Sequence, residues 1–193
     1  MAACKIDLSN LIVAEANRQG VDPGIALAVA RTESGVCQWR PDGSIVVSSA
    51  GAIGVMQLEP ATAAQLGVDP NDVNQNIQGG ITYLKQLYQK YGSWDQALAA
   101  YNWGPGPLDQ ATAAGTSIPG EVLNYAKGIL GIGTVYNAAL NKIQASGDSS
   151  QAPAISSADI LGNLAETPSM NVALVAGLAI GALALGILLF GDD

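Results

Sequence analysis

Residues 22–34 read Asp-Pro-Gly-Ile-Ala-Leu-Ala-Val-Ala-Arg-Thr-Glu-Ser and combine a helix start with a long apolar run. Asp22 is a favourable N-cap, and Pro23 suits the first helical position because its missing N–H is not needed there. The run from Ile25 to Arg31 then predicts a helix that packs inside a domain. Glu33 follows directly, so its carboxyl group is expected in poorly solvated surroundings.

Burial of this kind gives Glu33 a chemical use. A carboxyl group that loses solvation has a raised pKa and holds its proton near neutral pH. A general acid that protonates a glycosidic oxygen needs this property. The alternative is a helix-terminal glutamate that caps the helix or pairs with Arg31.

The chain contains no histidine, which restricts the chemistry further. Ser-His-Asp and Cys-His nucleophilic catalysis are excluded, and so are metal sites ligated by histidine. Catalysis must therefore come from carboxylates. No metal and no cofactor are expected.

Three further motifs follow Glu33-Ser34 along the chain. They are Ser48-x-x-Gly51-Ala52-x-Gly54-x-Met56-Gln57, Ala100-Tyr101-Asn102-x-Gly104 and Pro119-x-Glu121-x-x-x-Tyr125. In this order the four motifs resemble the lytic transglycosylase domain of the soluble lytic transglycosylase type, which shares the goose-type lysozyme fold. The resemblance covers roughly residues 8–130. The chain departs from the family pattern at Trp103, where a small residue is usual, and at Val122 and Ala126.

The resemblance implies a mainly α, lysozyme-like helical domain in which Glu33 is the catalytic acid. It also implies that Met56 lines the sugar site and that Gln57 hydrogen-bonds near the acid. An aromatic face suits the apolar side of a pyranose ring and an amide suits an acetamido group, which favours Tyr101 and Asn102 as sugar contacts. The alternative for Tyr101 is a plain core aromatic. The candidate substrate-binding residues are Ser48, Met56, Gln57, Tyr101, Asn102 and Tyr125.

Residues 36–50 do not have a helical pattern. Pro41-Asp42-Gly43 is a turn signal, and Ile45-Val46-Val47 has β propensity, so a small β-hairpin is predicted, with Ser48 next to the cleft. Gly51 and Gly54 let the backbone approach a ligand or the catalytic helix, although a tight turn without any ligand would explain them too.

Helical spacing predicts the remaining elements of the domain. An apolar stripe predicts a first helix that ends before Gly20. Further helices are expected over Pro60 to Leu66 and over residues 74–91. Ser93 and Gln96 form a capping box for the helix that carries the tyrosine-asparagine motif.

The mechanism is expected to work with one acid. Glu59 only borders a sugar-contact motif, and the resemblance implies a structural hydrogen-bonding role for Glu121 in the last motif. Substrate assistance is an exception to the rule of two carboxylates. In this reading Glu33 protonates the leaving oxygen, the acetamido group of N-acetylmuramic acid (MurNAc) stabilises the anomeric carbon, and a 1,6-anhydro end forms. Peptidoglycan supplies both groups. A hydrolytic muramidase on the same fold and a catalytically idle virion structural or wall-binding protein are the alternatives.

Charge excludes one class of partner. The formal net charge is −8 and the pI is about 4.2, whereas phosphate binding needs clustered Lys and Arg, so nucleic acid is not an expected partner. Two cysteines, Cys4 and Cys37, are either joined in a disulfide outside the cytoplasm or present as two free thiols.

The C-terminal part differs in composition. The predicted organisation is a domain over residues 1–143, a flexible linker over 144–168 and a transmembrane helix over 169–190. Met170 to Phe190 contains no charged residue and is long enough to span a lipid membrane. Met1 to Ile12 does not resemble a cleavable signal peptide. We expect a membrane-anchored virion protein of a bacteriophage that opens the cell wall during genome entry. Its partners would be other proteins of the virion or of a membrane complex. The alternative location is the bacterial inner membrane.

Overall fold

The computed structural model describes residues 6–146, and helices account for most of them. The helices are α1 (Ser9–Gln19), α2 (Pro23–Ser34), α3 (Pro60–Leu66), α4 (Val73–Tyr91), α5 (Trp94–Trp103), α6 (Pro105–Ala114) and α7 (Gly120–Ser146). The expectation of a mainly α domain is therefore confirmed.

The starts of α2 and α5 follow from capping residues that the sequence supplies. Asp22 accepts a hydrogen bond from the backbone N–H of Ile25 at 3.0 Å, and α2 begins at the proline that follows. Ser93 accepts from the N–H of Gln96 at 3.4 Å at the start of α5. Both caps satisfy backbone donors that have no partner within the helix.

Helix α2 is the centre of the domain, and its residues from Gly24 to Ala30 are all buried. It packs against α1 and α7. The contact with α7 is very close at Gly24, where an added Cβ would lie 2.4 Å from the carbonyl oxygen of Gly133. Only glycine allows this approach of the two backbones.

Polar bonds fasten α7 to the start of α2. The amide of Asn137 donates to Oδ1 of Asp22 at 2.8 Å. In the opposite direction, the backbone N–H of Gly24 donates to Oδ1 of Asn137 at 3.0 Å. The residue that caps α2 is thus itself held by α7.

The segment between α2 and α3 corrects one expectation. Residues 36–58 form isolated antiparallel bridges, Trp39 with Ile45, Val47 with Ile53, and Ile53 with Leu58, and no β-strand is formed within the described residues. The predicted turn closes where Gly43 donates to the carbonyl of Arg40 at 2.9 Å. The hairpin does not extend because the chain turns again over residues 48–51, before a ladder can form.

The linker over 144–168 and the span from Met170 to Phe190 fall, apart from residues 144–146, outside the described residues. Among the helices of residues 6–146, none combines the length and the apolar character that a bilayer crossing requires. Cys37 is disulfide-bonded. Cys4 is the other cysteine of the chain and also lies outside the described residues.

Candidate active site

A cleft of about 250 Å³ opens at the C-terminal end of α2, next to the bridged segment and helices α3 to α5. Besides the acid, it contains four of the substrate-binding residues predicted from the sequence, together with further polar and aromatic side chains. The lining residues are Glu33, Ser48, Ala52, Gln57, Leu58, Glu59, Thr62, Tyr83, Tyr101, Asn102, Trp103 and Gly104.

Glu33 provides the acid of this cleft. Burial raises the pKa of its carboxyl group to about 7, because the ionised form loses its hydration, and a hydrogen bond from Tyr125 opposes this shift. The hydroxyl of Tyr125 donates to Oε1 of Glu33 at 2.5 Å. Near neutral pH the group therefore exists in both the protonated and the ionised form, as a group that first gives and then accepts a proton requires.

The loop over residues 53–57 contributes Gln57 to the lining of the cleft, and its residues 54–56 are buried. We call this loop and Glu33 the floor of the cleft, and two buried amide side chains hold the loop. Gln38 accepts from the N–H of Val55 at 2.8 Å, and Asn76 accepts from the N–H of Met56 at 2.8 Å. Gly54 passes between these amides with φ +79°, and an added Cβ would lie 2.4 Å from Nδ2 of Asn76. The glycine is thus required both by the backbone conformation and by the lack of space.

Two carbonyl groups of the same loop accept hydrogen bonds from hydroxyl groups on α2 and α5. Ser34 donates its hydroxyl hydrogen to the carbonyl oxygen of Val55 at 2.8 Å, and Tyr101 donates to that of Met56 at 2.7 Å. Ser34 is the neighbour of the acid in the sequence, so the first bond ties the end of α2 to the floor. Burial and then the charge of Glu33 raise the pKa of Tyr101 well above its ordinary value, so its hydroxyl keeps its proton and acts as a donor.

Met56 differs from the expectation that it lines the sugar site. Its side chain is fully buried and is not among the lining residues. It packs onto α4, where an added Cβ on Gly80 would lie 2.4 Å from Cβ of Met56. Met56 therefore supports the floor through its buried side chain, and its backbone N–H and carbonyl groups take part in the polar network.

The other nominated residues lie at or just below the surface of the cleft. Gln57 lines it with a positive φ of 48°, and its amide donates to the carbonyl of Gly54 at 2.7 Å. Ser48 and Asn102 are exposed lining residues. Tyr125 is 7% exposed and reaches the site only through its hydroxyl on the acid.

Seven lining residues were not proposed from the sequence as site residues: Ala52, Leu58, Glu59, Thr62, Tyr83, Trp103 and Gly104. Glu59 and Trp103 adjoin recognised motifs, which was a usable signal. Thr62 and Tyr83 lie on α3 and α4, and no motif marks them. Tyr83 falls outside the apolar stripe of α4, and an aromatic residue beside such a stripe is a signal for a surface that binds something.

The domain is helical, and one half-buried carboxyl group that holds a proton lies at the floor of its cleft, beside aromatic and amide side chains. These features are those of the lysozyme-like class of domains. The chain belongs to the transglycosylase SLT domain family, whose model matches residues 10–124.

Similar proteins agree with this assignment. The chain is 36% identical over 113 residues to a transglycosylase of Enterobacteria phage PRD1, which covers 58% of this chain and 40% of that protein. It is 34% identical over 134 residues to the soluble lytic murein transglycosylase of Escherichia coli K12, which covers 58% of this chain and 20% of that protein. The chain thus spans less than half the length of these relatives.

Solved structures support the fold. The 70 kDa soluble lytic transglycosylase from Escherichia coli superposes with a TM-score of 0.55 at 26% identity, over 78% of this chain and 26% of that chain. An inactive mutant of the lytic transglycosylase Slt from Pseudomonas aeruginosa gives a TM-score of 0.56 at 25% identity, over 68% of this chain and 24% of that chain. The lysozyme-like helical fold expected for the domain is therefore confirmed.

Proposed function

We propose that this protein is a peptidoglycan lytic transglycosylase, which cleaves the β-1,4 bond between MurNAc and N-acetylglucosamine (GlcNAc) and leaves a 1,6-anhydro-MurNAc end. The observation that carries the proposal is the carboxyl group of Glu33, whose pKa of about 7 and hydrogen bond from Tyr125 suit one group that acts first as acid and then as base.

In the first step Glu33 donates its proton to the glycosidic oxygen, and the bond from that oxygen to the anomeric carbon breaks. The carbonyl oxygen of the MurNAc 2-acetamido group bonds to the anomeric carbon and takes the place of a second carboxylate. In the second step the C6 hydroxyl oxygen attacks the same carbon and displaces the acetamido oxygen. The Glu33 carboxylate accepts the hydroxyl proton, so the enzyme returns to its starting state.

The polar lining of the cleft supports a role in holding the sugars. Asn102 and Ser48 are exposed there and offer an amide and a hydroxyl group to the substrate. The ring of Tyr101 lines the cleft while its hydroxyl is committed to the loop below. We assign these residues, with Gln57, to binding, and Tyr125 to the orientation of the acid.

Mass spectrometry of the muropeptides released from purified peptidoglycan tests the reaction. The full-length protein should release products that end in 1,6-anhydro-MurNAc, each lighter by one water than the reducing product of hydrolysis. Strands whose MurNAc residues lack the N-acetyl group should bind but resist cleavage. Equal turnover of these strands and intact strands would contradict the substrate-assisted mechanism.

A hydrolytic muramidase is the second candidate, and the position of Glu59 favours it. This carboxylate lines the same cleft as Glu33, and hydrolysis uses a second carboxylate as base or nucleophile. Reducing ends in the products, together with loss of turnover in Glu59→Gln, would identify hydrolysis. A catalytically idle wall-binding protein would release no product of either kind.

We further propose that Met170 to Phe190 anchors the enzyme in a membrane, as a virion protein that opens the wall locally during phage genome entry. The support is the charge-free, apolar sequence of this segment. The likeness to a phage transglycosylase and to proteins called membrane-bound lytic murein transglycosylase F, 37% identical over 105 residues in Alkalilimnicola ehrlichii, is consistent with that setting.

Fractionation tests the anchor. The full-length chain should pellet with membranes or with the lipid-containing part of a particle, and charged residues placed at both Leu178 and Leu183 should release it, since each costs roughly 2.5 to 3.5 kcal/mol in a membrane helix. A doubly charged variant that stays bound would contradict the anchor.

A further inference from the structure

We propose that the cleft contains a subsite for a primary ammonium group of the substrate, formed by the carboxylate of Glu59 and the aromatic rings of Tyr83, Tyr101 and Trp103. The inference rests on the proposed function and deepens it, because it assigns the enzyme a preference for glycan strands that carry a free amine close to the cleaved bond.

Glu59 supplies the negative charge of this subsite. It precedes α3 at the N-cap position, but its side chain makes no capping hydrogen bond. Within the described residues it forms no ion pair either. Its carboxylate lines the cleft, is exposed to solvent and has no part in the proton transfers proposed for Glu33. A carboxylate without a partner inside a binding cleft is suited to receive a cation from the ligand.

Three aromatic residues line the same cleft as this carboxylate. The rings of Tyr83 and Tyr101 are 5.4 Å apart between centroids and tilted by 46°, so they do not lie flat against each other. Trp103 at the end of α5 is the third aromatic residue of the lining. Burial and then the charge of Glu59 raise the pKa of Tyr83, which indicates that the carboxylate and this ring are neighbours.

The carboxylate and the aromatic rings all attract cations. The face of an aromatic ring is electronegative and attracts ammonium groups, most strongly for tryptophan, and a carboxylate adds a direct charge–charge attraction. Among the described residues that line the cleft there is no lysine or arginine to occupy this position. Lys90, whose charge lowers the pKa of Tyr83, is ion-paired with Asp109 at 2.6 Å.

Peptidoglycan offers this ammonium group from two sources. One is glucosamine that has lost its N-acetyl group, and the other is the side-chain amine of a diamino acid in the stem peptide. Both are primary ammonium groups, and matched substrates distinguish them.

The experiment compares kcat/KM of the full-length protein on two pairs of uncrosslinked strands. In the first pair the glucosamine is either free or N-acetylated, and MurNAc keeps its acetamido group in both members. In the second pair the diamino acid is either free or acetylated. We expect a preference of roughly tenfold for the free amine in at least one pair, which then identifies the source.

Variants locate the preference in the proposed subsite. Glu59→Gln and Trp103→Ala should each bring the ratio within a pair close to one, while Trp103→Phe keeps an aromatic face and should retain most of the preference. Asp95→Asn removes an exposed carboxylate in the first turn of α5, outside the lining, and should leave activity and ratio unchanged. Raising the salt concentration should weaken the preference of the unmodified protein.

Three results would overturn the subsite: no preference in either pair, a preference that survives Glu59→Gln, or loss of turnover of charged and neutral strands alike in that variant, which would make Glu59 a catalytic group. The products formed by the unmodified protein from neutral strands report separately on the proposed reaction.

Discussion

The floor of the cleft is fixed by buried hydrogen bonds, whereas its outer wall consists of exposed side chains. The floor, formed by Glu33 and the loop over residues 53–57, is tied through Ser34, Gln38, Asn76 and Tyr101. The outer wall, formed by Glu59, Thr62, Tyr83 and Trp103, consists of partly or fully exposed side chains, and the side chain of Glu59 makes no capping hydrogen bond to α3. The floor thus holds the proton donor Glu33 in a fixed position, whereas the outer wall presents exposed side chains to the ligand.

The difference has an energetic basis. A buried amide that loses one of its hydrogen bonds retains an unsatisfied polar group, at a cost of about 1 to 3 kcal/mol, so changes to the floor are expensive. Exposed side chains can change at little cost to stability. We therefore expect substitutions in the floor to affect the reaction or the fold, and substitutions in the outer wall to affect the choice of substrate.

The largest effect is expected at the acid. Glu33→Gln keeps the shape of the side chain but cannot donate a proton as an acid, so kcat should fall by about 10²- to 10⁴-fold. Release of soluble muropeptides from peptidoglycan measures the loss, and circular dichroism checks the fold. A loss of less than about tenfold would indicate a different acid.

The same substitution should alter how stability depends on pH. Because the pKa of Glu33 is raised from 4.5 to about 7, the folded protein keeps a proton that the unfolded chain releases. This contribution is fully present below pH 4.5 and is lost as the pH rises to about 7, by roughly 3 kcal/mol in total. Denaturant titrations across this range should show the loss in the unmodified protein and a flatter profile in Glu33→Gln. Parallel profiles would contradict the raised pKa.

A matched pair of glycines tests the rigidity of the floor. Gly54→Ala places a Cβ within 2.5 Å of Oε1 of Gln38 and should destabilise the fold by about 3 kcal/mol. Gly51 has a similar positive φ of 88° but nothing within 4 Å of an added Cβ, so Gly51→Ala should cost only about 1 kcal/mol for the backbone conformation. Thermal unfolding measures both, and equal costs would mean that the buried amides do not confine the loop.

The smallest effect is expected from Tyr125→Phe. It removes the hydrogen bond that lowers the pKa of Glu33, so the acid should stay protonated up to a higher pH. The alkaline limb of the pH–rate profile should move in the same direction. Tyr136→Phe, a change on the same helix, is the control and should leave the limb in place; a shift in both variants, or in neither, would argue against a specific role of Tyr125.

Local signals in the sequence predicted the framework well. The cap at Asp22, the helix Pro60–Leu66 and the position of Glu33 in the cleft all follow from residues that are close together in the chain. The interactions that hold the floor join Gln38 to Val55 and Asn76 to Met56, across 17 and 20 residues, and no local pattern specifies them.

The same reasoning explains the two corrections. The apolar residues around Ile45 have β propensity, but a second turn shortens the pairing to isolated bridges. Met56 belongs to a motif associated with sugar binding, yet its side chain fills the space that Gly80 leaves on α4. A motif identifies which residues are near a site, whereas packing determines which of their atoms face it.

The attachment of α7 to the start of α2 matters for anyone who designs an expression fragment. The family match ends at residue 124, but Asn137 and Gly133, beyond that limit, hold Asp22 and Gly24 at the beginning of the helix that carries the acid. A fragment cut at the family boundary would expose the apolar side of α2 and leave its cap without support. The smallest fragment worth cloning therefore extends through the whole of α7, to Ser146.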